Sequence, residues 1–233
     1  MDVSSIEKLR QIEGVVFGPP SQKVATTSSN SEFGWLLPPD HKAFLSRFSG
    51  ASAYWGYFRI FALDQSEMGL DAWNANEGWK FAWDGRCDCY LCFAETGWGD
   101  QYAYSLTDPN LSTVYFLDAL TMIPTQVASS FSEFLVAEFL RCARDPYDNV
   151  LRQAKERLGP LSITEHIIYT PSPLLGAPET VEGVIKVPAR QAMIINGDVA
   201  VQLDEAPIGG RLVRVAKVLD QFGRSRIRLI WEH

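Results

Sequence analysis

The chain has 233 residues, 46% of them hydrophobic and 12% aromatic, so it can bury one large core or two small ones and is not a disordered chain. Its formal net charge is −7, its N-terminus lacks a basic start followed by an apolar run, and no stretch approaches about 18 consecutive apolar residues. We therefore expect no secretory signal and no membrane span, and the four cysteines do not resemble a secreted disulfide framework, so we predict a cytoplasmic protein.

Two helices are predicted near the start of the chain. Residues 5–12 carry apolar side chains at helical spacing and predict a short amphipathic helix. A second helix begins at Pro38-Pro39-Asp40, because proline suits the first turn of a helix, where its missing N–H would be unpaired anyway. Gly50 can supply a left-handed stop. The apolar stripe of this helix consists of His41, Phe44, Leu45 and Phe48.

Strands follow in the middle of the chain. Residues 57–63 and 113–117 have the bulk and branching of strands. Residues 88–106 predict a hairpin that turns at Gly97-Trp98-Gly99-Asp100, where the glycines can take a positive φ. Ser130 to Glu133 is a capping-box pattern and predicts the start of another helix.

The character of the chain changes near residue 160. Residues 146–158 predict a helix that ends at Gly159-Pro160. The segments after it alternate or run apolar and are separated by two turn patterns, Asn196-Gly197-Asp198 and Gln221-Phe222-Gly223. We predict a small antiparallel β module of about five strands, built from the segments that begin at Ile163, Val184, Ala192, Val199, Leu212 and Arg226.

These elements predict an α+β fold in three parts. Residues 1–145 form an α+β domain, residues 146–160 a linking helix, and residues 161–233 the β-rich module. The sequence leaves open whether the last part is a separate domain or an extension packed on the first sheet.

The negative charge is concentrated in the first part of the chain. Residues 1–145 hold 18 Asp and Glu against 10 Lys and Arg, and residues 64–108 hold nine acids against two bases, Lys80 and Arg86. Such a field attracts partners of opposite charge and repels nucleic acid, whose binding depends on neutralising phosphates. An acidic surface that only keeps the protein soluble is the alternative.

Tryptophans are also concentrated there. Aromatic anchors among charged residues are typical of protein interfaces. The alternative is that these rings fill the core. Trp73, Trp79 and Trp98 lie in loop-like contexts and are the ones we expect at an interface. The tryptophans in or beside the acidic stretch are Trp55, Trp73, Trp79, Trp83 and Trp98.

Residues suited to catalysis or metal binding are sparse. Cys87, Cys89 and Cys92 lack the second close pair that structural zinc needs, so buried thiols explain them more simply. With three histidines in the chain, a catalytic triad is not expected. Two acids acting as a hydrolase pair stay an open third possibility. We predict no cofactor and no metal.

Three short patterns resemble a known group of proteins. Residues 32–50 contain Leu37-Pro38 and Phe44-Leu45, residues 92–104 contain Gly99-Asp100, and residues 114–135 contain Val114-Tyr115, Ser130-Phe131 and Phe134-Leu135. In this order they resemble the SUKH superfamily, which joins fungal cell-wall synthesis regulators to bacterial immunity proteins. The resemblance covers roughly residues 5–142.

The resemblance implies a fold and a function. The implied fold is α+β, with helices packed on a mixed sheet, which we expect to be mainly antiparallel. The additional C-terminal antiparallel β module has no match in the family pattern and is predicted from the residues alone. The implied function is non-catalytic: an immunity protein whose acidic face blocks a protein toxin, frequently a basic nuclease. A regulatory or scaffold protein without a toxin partner is the alternative. No nucleic acid and no membrane are expected as partners.

The sequence then predicts a partner-binding surface from the acids of the acidic stretch and the three tryptophans. Its members are Asp64, Glu67, Asp71, Trp73, Glu77, Trp79, Asp84, Asp88, Glu95, Trp98 and Asp100.

Overall fold

The computed structural model describes residues 10–19, 31–64, 66–109, 111–146 and 148–232. Most of the helix predicted over residues 5–12 lies outside these ranges. No helix in the described part of the chain is long and apolar enough to cross a membrane.

Seven strands form one antiparallel sheet, and each strand pairs with the next one along the chain. The hairpin predicted over residues 88–106 is present, as are the strands predicted within residues 57–63 and 113–117. The strands at residues 16–17, 51–53 and 124–128 were not predicted. The strands are β1 Val16–Phe17, β2 Ala51–Ala53, β3 Phe58–Ile60, β4 Tyr90–Thr96, β5 Gln101–Ser105, β6 Val114–Leu117 and β7 Pro124–Ala128.

Five helices surround this sheet in the described part of the chain before residue 160. They are α1 Pro39–Arg47, α2 Leu70–Asn74, α3 Phe131–Phe134, α4 Leu140–Arg144 and α5 Asn149–Leu158. A π-helical turn, Leu135–Phe139, joins α3 to α4. One of the two hydrogen bonds of the capping box predicted at α3 is present. The Ser130 Oγ accepts a hydrogen bond from the Glu133 N–H at 3.1 Å, but the Glu133 carboxylate accepts from the Ser129 N–H at 2.7 Å, one residue earlier than the pattern indicates.

One face of the sheet packs against α1 and α3 through aromatic rings. Phe93 stacks on Tyr104 with ring centroids 4.4 Å apart, and His41 of α1 stacks on Phe131 of α3 at 4.0 Å. These side chains are buried, so the apolar stripe predicted for α1 faces the core as expected.

The other face of the sheet is covered by α2, by the 3-10 turn Lys80–Trp83 and by the C-terminal part of the chain. The Trp73 Nε1–H of α2 donates to the Gln101 side chain at 2.8 Å, and Trp79 donates to the Trp73 carbonyl at 2.8 Å. Both rings are fully buried.

The predicted C-terminal β module is partly wrong. Two hairpins are present: β8 Glu165–Tyr169 with β9 Val184–Pro188, and β10 Arg211–Leu219 with β11 Ser225–Glu232. Between them lies a helix, α6 Ala189–Asp204, where two further strands and an Asn196-Gly197-Asp198 turn were predicted. The local turn pattern is overridden because the helix is enclosed on several sides and these residues are buried.

The C-terminal segment packs on the first sheet. Ala189, Met193 and Ile194 of α6 belong to the same apolar core as the sheet and α1. The Ile167 N–H of β8 donates to the Gly97 carbonyl at 2.8 Å, which ties the β8–β9 hairpin to the β4–β5 turn. The predicted α+β fold class is confirmed. The three-part domain division stays a prediction.

Candidate functional site

A cleft of about 400 Å³ lies where the β4–β5 turn meets the segments after residue 145. Trp98, Asp100, Asp118 and neighbours form one side, and residues from α5, β8 and the loop after β8 form the other. We call it the seam cleft. None of the described residues that line it is Lys, Arg or His. Its carboxylates are Asp100, Asp118, Asp148 and Glu179.

The turn that positions Trp98 and Asp100 depends on a glycine. Gly99 has φ +91°, and a Cβ there would lie 2.8 Å from the Met193 Sδ and 3.0 Å from the His166 Nδ1. Any side chain at residue 99 would therefore push α6 and β8 away. The predicted Gly-Asp turn is thus also the contact point for the C-terminal segment.

Two aromatic rings, one from each side of the cleft, pack against each other. Trp98 and Tyr169 stack with centroids 4.5 Å apart and an interplanar angle of 13°. The Trp98 indole Nε1–H donates to the Asp148 Oδ2 at 2.7 Å, while the Asp148 Oδ1 accepts from the Leu151 N–H at 3.0 Å and caps α5. The orientation of Trp98 is therefore fixed from both the ring face and the ring edge.

Asp100 serves the fold with both of its carboxylate oxygens. Its Oδ1 accepts from the Ala119 N–H at 2.8 Å, and its Oδ2 accepts from the Thr96 hydroxyl at 2.6 Å. Burial, together with the charges of Asp118 and Asp148, raises the pKa of Asp100 to about 6. Because its oxygens already have donors within the chain, we assign Asp100 no acid-base role.

A buried ionic group joins β3, β4 and β8. The Arg59 guanidinium contacts the Glu95 Oε1 at 2.6 Å, and the His166 Nε2 lies 3.0 Å from the Glu95 Oε2. Burial alone would raise the pKa of Glu95, but Arg59 and His166 outweigh it and lower the pKa. Burial also lowers the pKa of His166, so the imidazole is held in its neutral form.

The structure removes three residues from the predicted partner-binding surface. Trp73, Trp79 and Glu95 are fully buried, so their side chains cannot contact a partner in this conformation. The two rings fill the core, and Glu95 is an ion-pair partner inside it. Asp71 is half-buried and accepts hydrogen bonds from the Ser31 hydroxyl and from two backbone amides at residues 32 and 33.

The remaining predicted residues fall into two groups. Trp98 and Asp100 line the seam cleft. The second group is exposed and lies on the loops and turns between residues 64 and 88: Asp64, Glu67, Glu77, Asp84 and Asp88.

The sequence did not single out four of the residues that complete the cleft. Asp118, Tyr169 and Glu179 belong to segments that carry no local signal of a site. Asp148 lies just before the first turn of α5, where an Asp is a common cap, so the sequence contained a signal for its structural role only.

The cysteines occupy different environments. Cys87, Cys92 and Cys142 are buried and Cys89 is exposed. Burial raises the pKa of Cys92 to about 11, which keeps its thiol protonated. Among the described residues, no three His, Cys, Asp or Glu side chains are grouped so that they could hold a metal ion.

Residues 28–137 match the SMI1 / KNR4 family (SUKH-1). The match spans 110 of the 233 residues and agrees with the SUKH superfamily; we call residues 28–137 the SUKH segment. The predicted resemblance is confirmed over that range. The superfamily includes toxin immunity proteins, and its members are generally non-catalytic.

A solved structure has a similar fold. The crystal structure of Atu4351 from Agrobacterium tumefaciens is similar over 99% of this chain and 98% of that chain, with a TM-score of 0.52 and 13% sequence identity. The similarity therefore extends through the C-terminal segment. At this identity it shows a shared fold alone. No curated protein matches the sequence significantly.

The SUKH match ends at residue 137, whereas the seam cleft is lined from both sides of that boundary. One wall belongs to the SUKH segment, and the wall with Asp148, Tyr169 and Glu179 lies beyond it.

Proposed function

We propose that this chain is an immunity protein that binds a protein toxin and neutralises it through an acidic surface. The observation that carries the proposal is the seam cleft, which contains four carboxylates and no basic side chain among its described lining residues, in a chain whose SUKH segment belongs to a superfamily that includes immunity proteins.

The exposed acids between residues 64 and 88 support a basic partner. Five of the predicted acids are exposed there, and a surface of one sign accelerates encounter with a partner of the opposite sign. A basic nuclease domain has the required charge, and we propose it as the toxin class. A regulatory or scaffold protein with a cytoplasmic partner is the alternative function.

The experiment that tests the proposal starts by capturing proteins from lysate of the source cells with this chain as bait, followed by mass spectrometry. The C-terminal domain of a captured protein is then expressed in a sensitive bacterium with and without this chain. Growth arrest that this chain relieves is the expected result. If the captured partners do not arrest growth, or if arrest persists when this chain is present, the immunity proposal is wrong and the regulatory alternative is favoured.

The acidic surface is tested once such a partner is in hand. Replacing Glu77, Asp84 and Asp88 by Lys is expected to weaken binding by about tenfold or more and to flatten its dependence on salt, because favourable long-range attraction is removed. Binding is measured by calorimetry or surface plasmon resonance over a range of ionic strength.

The matched control reverses three exposed acids in the C-terminal part of the chain. The control variant carries Glu156→Lys, Glu182→Lys and Glu205→Lys. These substitutions change the net charge by the same amount as the three in the test variant. If the control variant loses as much affinity as the test variant, net charge and not this surface determines binding.

A further inference from the structure

The seam cleft has more negative charge than its own side chains neutralise. Asp118 and Asp148 both raise the pKa of Asp100, and Asp148 and Glu179, after burial, contribute to raising the pKa of Tyr169 to about 12. These groups therefore lie close enough to influence one another electrostatically. A cation in the cleft would relieve their repulsion.

Some of these carboxylate oxygens are already engaged. Both oxygens of Asp100 and of Asp148 accept hydrogen bonds from the chain, and the Asp118 Oδ1 accepts from the Leu120 and Thr121 amides at 3.0 Å each. Glu179 is exposed and has no hydrogen bond or ion pair with the described residues. The Asp118 Oδ2 and the Glu179 carboxylate remain to accept donors from a ligand.

The rest of the lining suits a flat cation. Trp98 and Tyr169 are half-buried and stacked on each other, and Val150 adds apolar surface. Ser172 also lines the cleft, and its Oγ is buried without a hydrogen-bond partner in the described part of the chain. A guanidinium has planar faces that pack on aromatic rings and five N–H donors that can be shared among oxygens in different directions.

We propose that the seam cleft binds the side chain of an arginine presented by the protein partner. The guanidinium packs against the Trp98–Tyr169 pair and donates to the Asp118 Oδ2 and to Glu179. The proposal rests on the proposed function for the statement that a protein supplies the arginine. The chemistry of the cleft itself is testable without the partner.

Because the cleft wall with Tyr169 and Glu179 lies outside the SUKH match, the C-terminal segment contributes directly to recognition. Changes at Tyr169 or Glu179 would then alter partner choice while the SUKH segment stays the same.

The test uses the full chain labelled with ¹⁵N and three blocked tripeptides, acetyl-Gly-Arg-Gly-amide, its citrulline counterpart and its lysine counterpart. Citrulline has nearly the shape of arginine without the charge. The readout is the indole N–H signal of Trp98, assigned by its loss in Trp98→Phe. We expect a saturable shift with the arginine peptide, and dissociation constants larger by about tenfold or more for the other two.

Two variants locate the binding. Asp118→Asn keeps an oxygen for the turn amides but removes the charge, and Glu179→Gln changes an exposed side chain. Each is expected to weaken binding of the arginine peptide severalfold, on the order of the loss of one charge-assisted hydrogen bond. Asp84→Asn and Asp88→Asn, on exposed turns elsewhere, are the matched controls and are expected to leave binding unchanged.

The proposal is overturned if the Trp98 signal does not saturate with the arginine peptide, if citrulline or lysine binds equally well, or if the controls weaken binding as much as the cleft variants. Its failure is separable from failure of the proposed function. If the chain relieves growth arrest but does not bind the arginine peptide, only the proposal for the cleft is wrong. If the cleft binds the arginine peptide but the chain has no toxin partner, only the immunity proposal is wrong.

Discussion

Single buried residues determine how the C-terminal segment is held on the sheet. The Arg59 guanidinium of β3 connects the sheet to the segment before β8. It forms an ion pair with Glu95 at 2.6 Å, and it donates to the Ser162 carbonyl at 2.8 Å and to the Glu165 carbonyl at 3.0 Å. Removing this buried cation would leave Glu95 without its counter-charge and the Glu165 carbonyl without this donor.

Arg59→Met is therefore expected to lower the free energy of unfolding by about 3–5 kcal/mol, since Glu95 would remain buried without its cation. Urea unfolding followed by tryptophan fluorescence measures the change. Arg211→Met is the control, because the Arg211–Glu232 pair is 80% and 62% exposed, and it should cost less than about 1 kcal/mol. Equal losses in the two variants would contradict the assigned role of Arg59.

Asp100 predicts a pH dependence of opposite sign to that of a salt-bridged acid. Its pKa is raised from 3.8 to about 6 in the folded chain, so the folded state holds this proton more tightly than the unfolded state. The contribution of Asp100 to stability is present below about pH 4 and is lost as the pH rises to about 6. Asp100→Asn removes the titration, so its melting temperature relative to the native chain should rise over that interval. Scanning calorimetry at several pH values measures this difference, and a constant difference would contradict the assignment.

Among the elements, α6 shows how tertiary contacts override a local pattern. Asn196-Gly197-Asp198 has the composition of a hairpin turn, yet all three residues are buried inside a helix. The Asp198 Oδ2 accepts from the Ile227 N–H of β11 at 2.7 Å, and the Gln202 side chain bonds the Ile227 carbonyl at 2.8 Å and the Leu229 N–H at 2.9 Å. The helix side chains thus pair the edge of β11 as a neighbouring strand would.

Gly197 is required for the close approach of α6 to the Lys80–Trp83 turn. A Cβ at this position would lie 2.7 Å from the Ala82 carbonyl oxygen and 3.0 Å from the Trp83 ring. Helix propensity alone predicts that Gly197→Ala stabilises the chain by about 1 kcal/mol. We expect a loss of about 1–3 kcal/mol instead, because the added methyl overpacks the contact.

Thermal unfolding of Gly197→Ala beside Gln191→Ala tests this expectation. Gln191 lies in the same helix and is only half-buried, so its replacement should change stability by no more than about 0.5 kcal/mol. If Gly197→Ala stabilises the chain instead, the Lys80–Trp83 turn can move to make room for the methyl group, and the gain in helix propensity exceeds the cost of the contact.

At the scale of the whole molecule, the SUKH segment and the C-terminal segment share one core. Trp83 and Trp73 are fully buried, and His166 of β8 packs edge-on against Trp73 at 5.8 Å. A chain that ends at residue 160 would lose α6 and β8, exposing these rings and leaving the Arg59–Glu95 pair open to water.

We therefore expect residues 1–160 to unfold without a cooperative transition and to bind the dye ANS. Circular dichroism melting and ANS fluorescence of this fragment, beside the full chain, check the result. A sharp melt with dispersed amide signals would contradict it and would support the predicted division at residues 145–160.

Local patterns were sufficient for α1, for the 88–106 hairpin and for the start of α3. Each is specified by neighbouring residues: a proline and an apolar stripe, two glycines at a turn, and a serine cap. The acidic stretch and the SUKH patterns were equally visible in the sequence. These features are local or compositional, and their physical causes act within a few residues.

Only the tertiary structure decided which charged and aromatic residues are exposed. Glu95, Trp73 and Trp79 resemble surface anchors in the sequence but are buried, because Arg59 neutralises Glu95 and the C-terminal segment covers the rings. The seam cleft is likewise a product of packing, since Trp98 and Tyr169 lie far apart in the chain and meet only when β8 bonds to the β4–β5 turn. Burial and charge compensation are sums over distant contacts, and no local pattern encodes them.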